Sequence, residues 1–340
     1  MGEYAKVCFA CILVSSNGKK PTPMTKEQLR NECSRLFACK TIADSNDLLN
    51  IYAEFLFKAV QNHHSEAVYT QAEADAKLVI QMMLTKVLHL KSVISGISFK
   101  AKDGSVLNKI IDPTIVASLI RNIYETAAMF NLIYRSTKSK DERELLYLLW
   151  VHSGLKYRQR FENEITTEEN KEKQQHEKAQ IDKIVTEIEG STLFKGLDEK
   201  NQGKIRTKLK DKDYLMMFEG TEVNFLHWHD LTKVMGIKKG MLDDIYTYFS
   251  LYSHPSNVAV FQFADMFKLD EEAFPQMVNF NLKIAFFMFN VFIADYITLF
   301  PTVLKTFDSL DFKDQIVINF HNTMTRSQNY SINDSWKACE

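Results

Sequence analysis

Apolar residues recur along most of this chain with the spacing of helices that pack on a core. In the stretch SNDLLNIYAEFLFKAVQNH, Leu48, Ile51, Tyr52, Phe55 and Ala59 fall on one helical face. Similar stretches predict helices at about 25–38, 45–63, 67–96, 113–135, 141–163, 240–253 and 271–300. Only 11 glycines and 6 prolines interrupt the 340 residues, which favours long helices over many-turned β folds. We therefore predict an all-α fold, a multi-helix bundle with long antiparallel helices.

One segment breaks this pattern. Residues 166–180, TTEENKEKQQHEKAQ, contain no large apolar side chain, and apolar spacing resumes at Ile181. A helix that is polar on every side projects into solvent, packs on a partner or frays. We predict a projecting polar helical arm over 161–190, which would bind a protein partner or a second copy of the chain.

The pattern also divides the chain. We predict an N-terminal arm at 1–24, helices packed on the core at 25–104, a main helical domain at 105–310 that carries the polar arm, and a C-terminal tail at 311–340. The apolar run Val7–Val14 is too short for a secretory signal, so we read it as a strand or an added helix.

No segment is predicted to cross a membrane. The most apolar stretch, IAFFMFNVFIA at 284–294, lies between Lys283 and Asp295. It would form about 16 Å of helix, roughly half the thickness of a bilayer core. A buried core helix is the better interpretation.

Composition narrows the classes of function. Hydrophobic residues make up 45% of the chain, enough for a substantial core, and the formal net charge is −1. A nearly neutral chain has no global attraction for nucleic acid or membrane, so such a contact needs a local patch. Five cysteines, an odd number without a secretory segment, predict reduced thiols and a cytoplasmic protein.

Metal and cofactor motifs are weak. Cys8, Cys11, Cys33 and Cys39 lie in apolar or helical contexts rather than in the polar turns of zinc knuckles, so buried free thiols are the simpler interpretation. In the sequence HWHD, His227 and His229 would share a face on a strand and could bind a metal, whereas Asp230 suits a helix N-cap. The GxGxxG, GxxxxGK[ST], GxSxG and HExxH motifs are absent. We predict no metal site and no cofactor.

Charged and polar residues at two places suggest a site. Arg121 and Glu125 lie four residues apart within a nearly all-apolar helix, where they form either a structural ion pair or a polar pocket. His254 stands where a helix must end, because Pro255 follows it. That position alone suits a protonated histidine, but Tyr248 and Ser253 beside it supply hydroxyls for acid–base chemistry.

The stretch 226–256 carries a resemblance. A Trp, then LTKVMGI, a Tyr-rich helix and YFSLYSHPS resemble a bacterial family of uncharacterised, mostly helical proteins. LIRNIYET (119–126) and LLWVHSGLKYRQ (148–159) match the preceding helices of that family, and the similarity covers about 105–300. The family looks distantly related to HEPN proteins, helical bundles of toxin–antitoxin and phage-defence loci.

Many HEPN toxins are metal-independent ribonucleases whose signature is an Arg, four to six residues and a His. None of the nine histidines here has an Arg at that distance, so only a composite site could support this activity. One hypothesis is thus an RNA-acting effector in which Arg121, Glu125 and His254 share a site, assisted by Tyr248 and Ser253. In that hypothesis, the RNA backbone is held by Lys204, Arg206 and Lys208. The alternative is a non-catalytic helical interaction module that binds a partner through its polar arm.

Overall fold

The computed structural model describes residues 24–164, 167–269 and 272–339. The predictions for Val7–Val14, for Cys8 and Cys11, and for the arm before residue 24 lie outside these residues. Within them the protein is predominantly helical, which confirms the predicted all-α class. The helices are α1 Lys26–Ala38, α2 Ile42–His63, α3 Gln71–Val93, α4 Pro113–Phe130, α5 Lys140–Arg158, α6 Glu168–Gly190, α7 Thr192–Lys195, α8 Glu199–Asp211, α9 Leu231–Val234, α10 Ile245–Ser253, α11 Asn257–Met266, α12 Ala273–Leu299, α13 Leu304–Asp308 and α14 Phe312–Thr325.

Two short antiparallel hairpins interrupt the helices. The strands are β1 Ile97–Lys100, β2 Val106–Ile110, β3 Met216–Glu219 and β4 Glu222–Phe225. The second hairpin turns through Gly220, whose φ of 64° suits a residue without a side chain. The sequence pattern missed both hairpins, because strands of four or five residues carry too little periodicity. The first hairpin lies just after α3, where the sequence predicts a longer helix and then a break.

Side chains at the helix ends explain several boundaries. Thr25 and Gln28 form the capping box that their spacing predicts at the start of α1. At the start of α4, Oδ1 of Asp112 accepts a hydrogen bond from the Thr114 amide at 2.8 Å, and Pro113 takes the first helical position. After α4 the chain continues as one π-helical turn, Asn131–Arg135. The ends of α4, which carries Arg121, are therefore fixed locally.

The core lies around α12. From Val278 to Ile297 this helix is buried on nearly every side, and α2, α4 and α14 pack against it. By length and composition α12 could cross a membrane, but 78% of its most apolar window is buried inside the protein. Aromatic rings dominate the packing: Phe130 of α4 lies 4.9 Å from Phe292 between ring centres.

The two ends of the described chain both join this core. One continuous cluster of buried apolar residues runs from Cys33 on α1 to Ile318 on α14. The segment after residue 310, which the sequence predicts to be a tail, contains α14, whose Ile316, Val317 and Ile318 are buried.

The predicted polar arm needs a partial correction. Its residues form α6, and all residues from 167 to 173 are exposed. Further along, Gln174 and Glu177 are buried against the end of α5, where Arg158 Nε donates to Oε2 of Glu177 at 3.0 Å. An ion pair between the buried carboxylate of Glu177 and the exposed guanidinium of Arg158 thus stands where the sequence lacks apolar contacts. Only the first turns of α6 project, and its second half packs on the protein.

Candidate functional site

The middle of α4 carries two charged side chains, Arg121 and Glu125. Nε of Arg121 donates to Oε1 of Glu125 at 3.0 Å, as the spacing of four residues predicts. The two side chains keep 21% and 28% of their exposure, so the pair lies at the edge of the core. Partial exposure lowers the desolvation cost that a fully buried ion pair would carry.

Helix α10 brings two more polar residues to the same place. His254 is the C-cap of α10 and has an extended backbone, with φ −105° and ψ 145°, as expected before Pro255. Tyr246 lies eight residues earlier, which at 100° per residue places it within about 80° of His254 around the helix. Both side chains contact Arg121.

The Arg121 guanidinium joins these groups. Its Nη1 lies 3.2 Å from Nε2 of His254, and its Nη2 donates to the Tyr246 hydroxyl at 2.7 Å. Because a guanidinium only donates, a hydrogen bond here requires the His254 tautomer in which Nε2 accepts and Nδ1 carries the proton. The Tyr246 hydroxyl likewise accepts from Arg121 and keeps its own proton for donation. We call Arg121, Glu125, Tyr246 and His254 the Arg121 cluster.

The Arg121 cluster is open to solvent on one side. His254 is exposed, while Tyr246 is half-buried. The contact is therefore not a dry, fully buried ion pair, which would have favoured a purely structural role. A cation, an imidazole lone pair and a hydroxyl proton at a solvent-accessible position can bind an anion and move protons.

Aromatic residues fix one side of the cluster. The rings of Trp228 and Tyr246 stack with 12° between their planes and 5.8 Å between their centres. The Tyr124 hydroxyl donates to the Trp228 carbonyl oxygen at 2.6 Å. Burial raises the pKa of Tyr124, so this hydroxyl stays a donor at neutral pH. Trp228 is thus held in place by α4 and by α10.

A second cation lies beside α4. Lys86 of α3 donates to Oδ1 of Asn122, the residue that follows Arg121. Burial lowers the pKa of Lys86, and the charge of Glu125 acts in the opposite direction. Lys86 of α3 and Arg121 of α4 therefore place two basic side chains near the same turn of α4.

The structure places Tyr248 and Ser253 outside the cluster. Tyr248 follows Tyr246 by two residues, about 200° around the helix, and donates to Oδ1 of Asn281 on α12 at 2.9 Å. Oγ of Ser253 is buried and has no hydrogen-bond partner among the described residues. The prediction grouped residues that are close in sequence. The spacing of Tyr246 and His254 on one face was the signal that would have identified Tyr246.

The three basic residues predicted to hold RNA are each engaged within the protein. Lys204 donates to the Val223 carbonyl oxygen at 2.6 Å and lies 3.3 Å from Glu222. Arg206 donates to Glu189 at 2.9 Å. Lys208 is buried and lies 2.5 Å from Asp213. Their charges are therefore paired, and they do not form a free basic patch.

The residues considered as metal ligands have other surroundings. Cys33 and Cys39 are buried, and Sγ of Cys39 lies 3.1 Å from Oγ of Ser45. His227 precedes a 3₁₀ turn and His229 lies within it, so neither is on a strand, and their rings stack on each other with centres 5.5 Å apart. Within 24–164, 167–269 and 272–339, no group of three or more His, Cys, Asp or Glu side chains is arranged to hold a metal.

Sequence reasoning missed the buried polar cluster around Asp295. Asp295 of α12 is almost completely buried and accepts from Asn131 at 2.6 Å and from Arg326 at 2.8 Å. Burial raises the pKa of Asp295, while Arg326 acts in the opposite direction. Asn131 begins the π-helical turn after α4, so this cluster ties α4, α12 and the segment after α14 together. We assign it a structural role.

Comparison with protein-family models, with curated proteins and with solved structures finds no match to this chain.

Proposed function

We propose that the protein is an RNA-acting effector of bacterial defence or stress response and that the Arg121 cluster cleaves RNA without a metal. The observation that supports this most directly is the guanidinium of Arg121, which contacts Glu125, Tyr246 and an exposed His254 at once. The HEPN resemblance supports the reaction class. The missing Arg–His signature is replaced in this proposal by a composite site from two helices.

The roles follow from the hydrogen bonds. A phosphate oxygen of RNA accepts the hydrogen bond from Nη1 of Arg121 in place of His254, which frees the lone pair of His254 Nε2 while Arg121 keeps its proton. His254 then accepts the proton of the ribose 2′-hydroxyl, and the 2′-oxygen attacks phosphorus. The bond from phosphorus to the 5′-oxygen breaks, and the Tyr246 hydroxyl protonates that oxygen. The products are a 2′,3′-cyclic phosphate and a 5′-hydroxyl.

The remaining residues of the site position the reacting groups and stabilise the transition state. Arg121 balances the negative charge that develops on the phosphorane, where a preorganised donor contributes most. Glu125 holds Nε of Arg121 and so fixes the direction in which the two terminal nitrogens point. Lys86 adds a second cation for the neighbouring phosphate.

Cleavage of a labelled single-stranded RNA in EDTA tests this proposal. His254→Ala should lower the rate by a factor of about 100 or more, because removal of a general base typically costs that much. The matched control is His176→Ala, since His176 is an exposed histidine on α6. Equal cleavage by wild type and His254→Ala, or products other than a cyclic phosphate, would contradict the mechanism.

A second proposed function is a non-catalytic interaction module. It is favoured by one observation: every residue from 167 to 173, at the start of α6, is exposed. A helix face of this kind can bind a partner or a second copy of the chain. In sedimentation experiments, charge reversal at Lys171 and Lys173 should abolish concentration-dependent dimerisation if α6 mediates it. The same change should leave RNA cleavage untouched.

A further inference from the structure

We infer that the ligand of the Arg121 cluster is a single strand with an unpaired base, and that Trp228 and its two flanking histidines stack on that base. This inference rests on the proposed action on RNA and names the form of RNA that fits. It adds a binding surface, which we call the HWH surface and define as His227, Trp228 and His229. The three residues are consecutive; both histidines are exposed, whereas Trp228 is half-buried and packs against the core.

The ring of Tyr246 connects the HWH surface with the proposed catalytic groups. The Tyr246 ring stacks on Trp228, and the guanidinium carbon of Arg121 lies 4.8 Å from the centre of the same ring. Trp228, Tyr246 and Arg121 therefore follow one another in a stack, so a strand with a base on the HWH surface could extend past Tyr246 and place a phosphate at Arg121. Stacking on aromatic rings beside a cation is the usual way in which proteins hold single strands without reading their sequence.

The HWH surface is also preorganised. Tyr124 donates to the Trp228 carbonyl oxygen, and Oδ2 of Asp230 accepts from the His227 amide at 2.8 Å. These two bonds hold the turn from both sides. The rings of His227 and His229 are nearly parallel, with 16° between their planes. A rigid aromatic surface loses little conformational entropy when a base stacks on it.

A double-stranded ligand fits this arrangement less well. Bases inside a duplex are stacked on each other and cannot present a face to Trp228, whereas bases in loops and single strands can. The chemistry therefore favours an unpaired base with one adjacent phosphate.

Binding of 2′-O-methyl oligonucleotides tests the inference, because they cannot be cleaved by attack of the 2′-oxygen. Fluorescence anisotropy should show that Trp228→Ala weakens binding of an intact strand about tenfold, as removal of one stacking residue typically does. Its effect on an abasic strand of equal length should be less than twofold. Trp228→Phe should retain most of the affinity for the intact strand.

Two controls separate the outcomes. Tyr69→Ala removes an aromatic residue that is 90% exposed elsewhere, and it should change neither affinity. Equal effects of Trp228→Ala on the intact and abasic strands, or tighter wild-type binding of a duplex, would overturn the inference. Absence of any wild-type binding would overturn it together with the proposed function. Base-dependent binding without cleavage of ordinary RNA would refute only the proposed catalysis.

Discussion

Nη1 of Arg121 lies 3.2 Å from Nε2 of His254, although 133 residues separate them in the chain. The contact forms because the end of α10 lies on the middle of α4, where Tyr246 and Arg121 already meet. Taken alone, Arg121 is explained as the ion-pair partner of Glu125, and His254 is explained as the residue at which α10 ends. Their contact is what places an imidazole beside a fixed cation.

Replacement of Arg121 should separate activity from stability. Arg121→Lys keeps the positive charge, but one ammonium cannot hold Glu125, Tyr246 and His254 in a fixed geometry. We expect cleavage to fall at least tenfold while the free energy of unfolding changes by less than about 1 kcal/mol, the usual range for partly exposed pairs. Cleavage assays and urea denaturation would measure the two quantities.

The small expected change in the free energy of unfolding depends on how exposed the Glu125 side chain is. A Glu125 left buried and unpaired would cost several kcal/mol, but its side chain keeps 28% of its exposure and can be hydrated. Arg160→Lys is a matched control, because Arg160 also lies over a tyrosine ring, 5.0 Å from the centre of Tyr157. Loss of several kcal/mol in Arg121→Lys would show that the pair is structural.

Two tyrosines on α10 should differ in their effects. Tyr246→Phe removes the hydroxyl that accepts from Arg121, so we expect cleavage to fall about tenfold or more. Tyr248→Phe removes the donor to Asn281, so it should lower the free energy of unfolding by about 1 kcal/mol and affect cleavage little. The reverse assignment would restore Tyr248 to the site.

The tyrosines also show how far sequence reasoning reaches. Helical periodicity predicts α4 and α10, the cap at Asp112 and the stop at His254, because each depends on neighbours in the chain. It cannot place α10 against α4, since many pairs of apolar faces could pack equally well. The family resemblance suggested that Arg121 and His254 belong together, but it did not identify Tyr246.

Sequence reasoning also did not identify the buried polar contacts. Asp295 was read as the end of an apolar run, yet it is a buried partner of Arg326. Glu177 was read as part of a free arm, yet it is buried beside Arg158. In both cases the partner is distant in sequence or lies on another helix. Composition makes such residues look exposed until their partners are known.

Removal of Glu177 should release the first half of α6. Glu177→Ala removes the carboxylate that accepts a hydrogen bond from Nε of Arg158, so α6 loses this polar contact with the end of α5. We expect trypsin to cut several times faster at Lys171 and Lys173, because local opening governs cleavage of a helix. Glu169→Ala is the matched control, since Glu169 is an exposed residue of α6. Unchanged cleavage in Glu177→Ala would mean that other contacts hold this segment.

Two buried histidines should make the protein less stable in mild acid. Burial lowers the pKa of His321 to about 4, and burial together with the charge of Lys77 lowers that of His63 to about 4. An unfolded histidine has a pKa near 6.5, so between these values the unfolded chain binds more protons. Stability is therefore complete above pH 6.5 and is lost as the pH falls towards 4. Each histidine should contribute about 1 to 2 kcal/mol of that loss between pH 7 and pH 5.

Urea denaturation at pH 7, 6 and 5 measures this dependence. His321→Asn removes the titration but also the bond between Nδ1 and the Tyr52 hydroxyl, so it should be less stable at pH 7. Its stability should nevertheless fall less steeply with acid than that of wild type. His176→Asn, at an exposed position, should retain the wild-type slope. An equal slope in His321→Asn and wild type would show that His321 is protonated in the folded protein or remains neutral in both states. Stability that rises from pH 7 to pH 5 would contradict the direction of both shifts, because a buried neutral histidine can only favour the folded state less as protons are added.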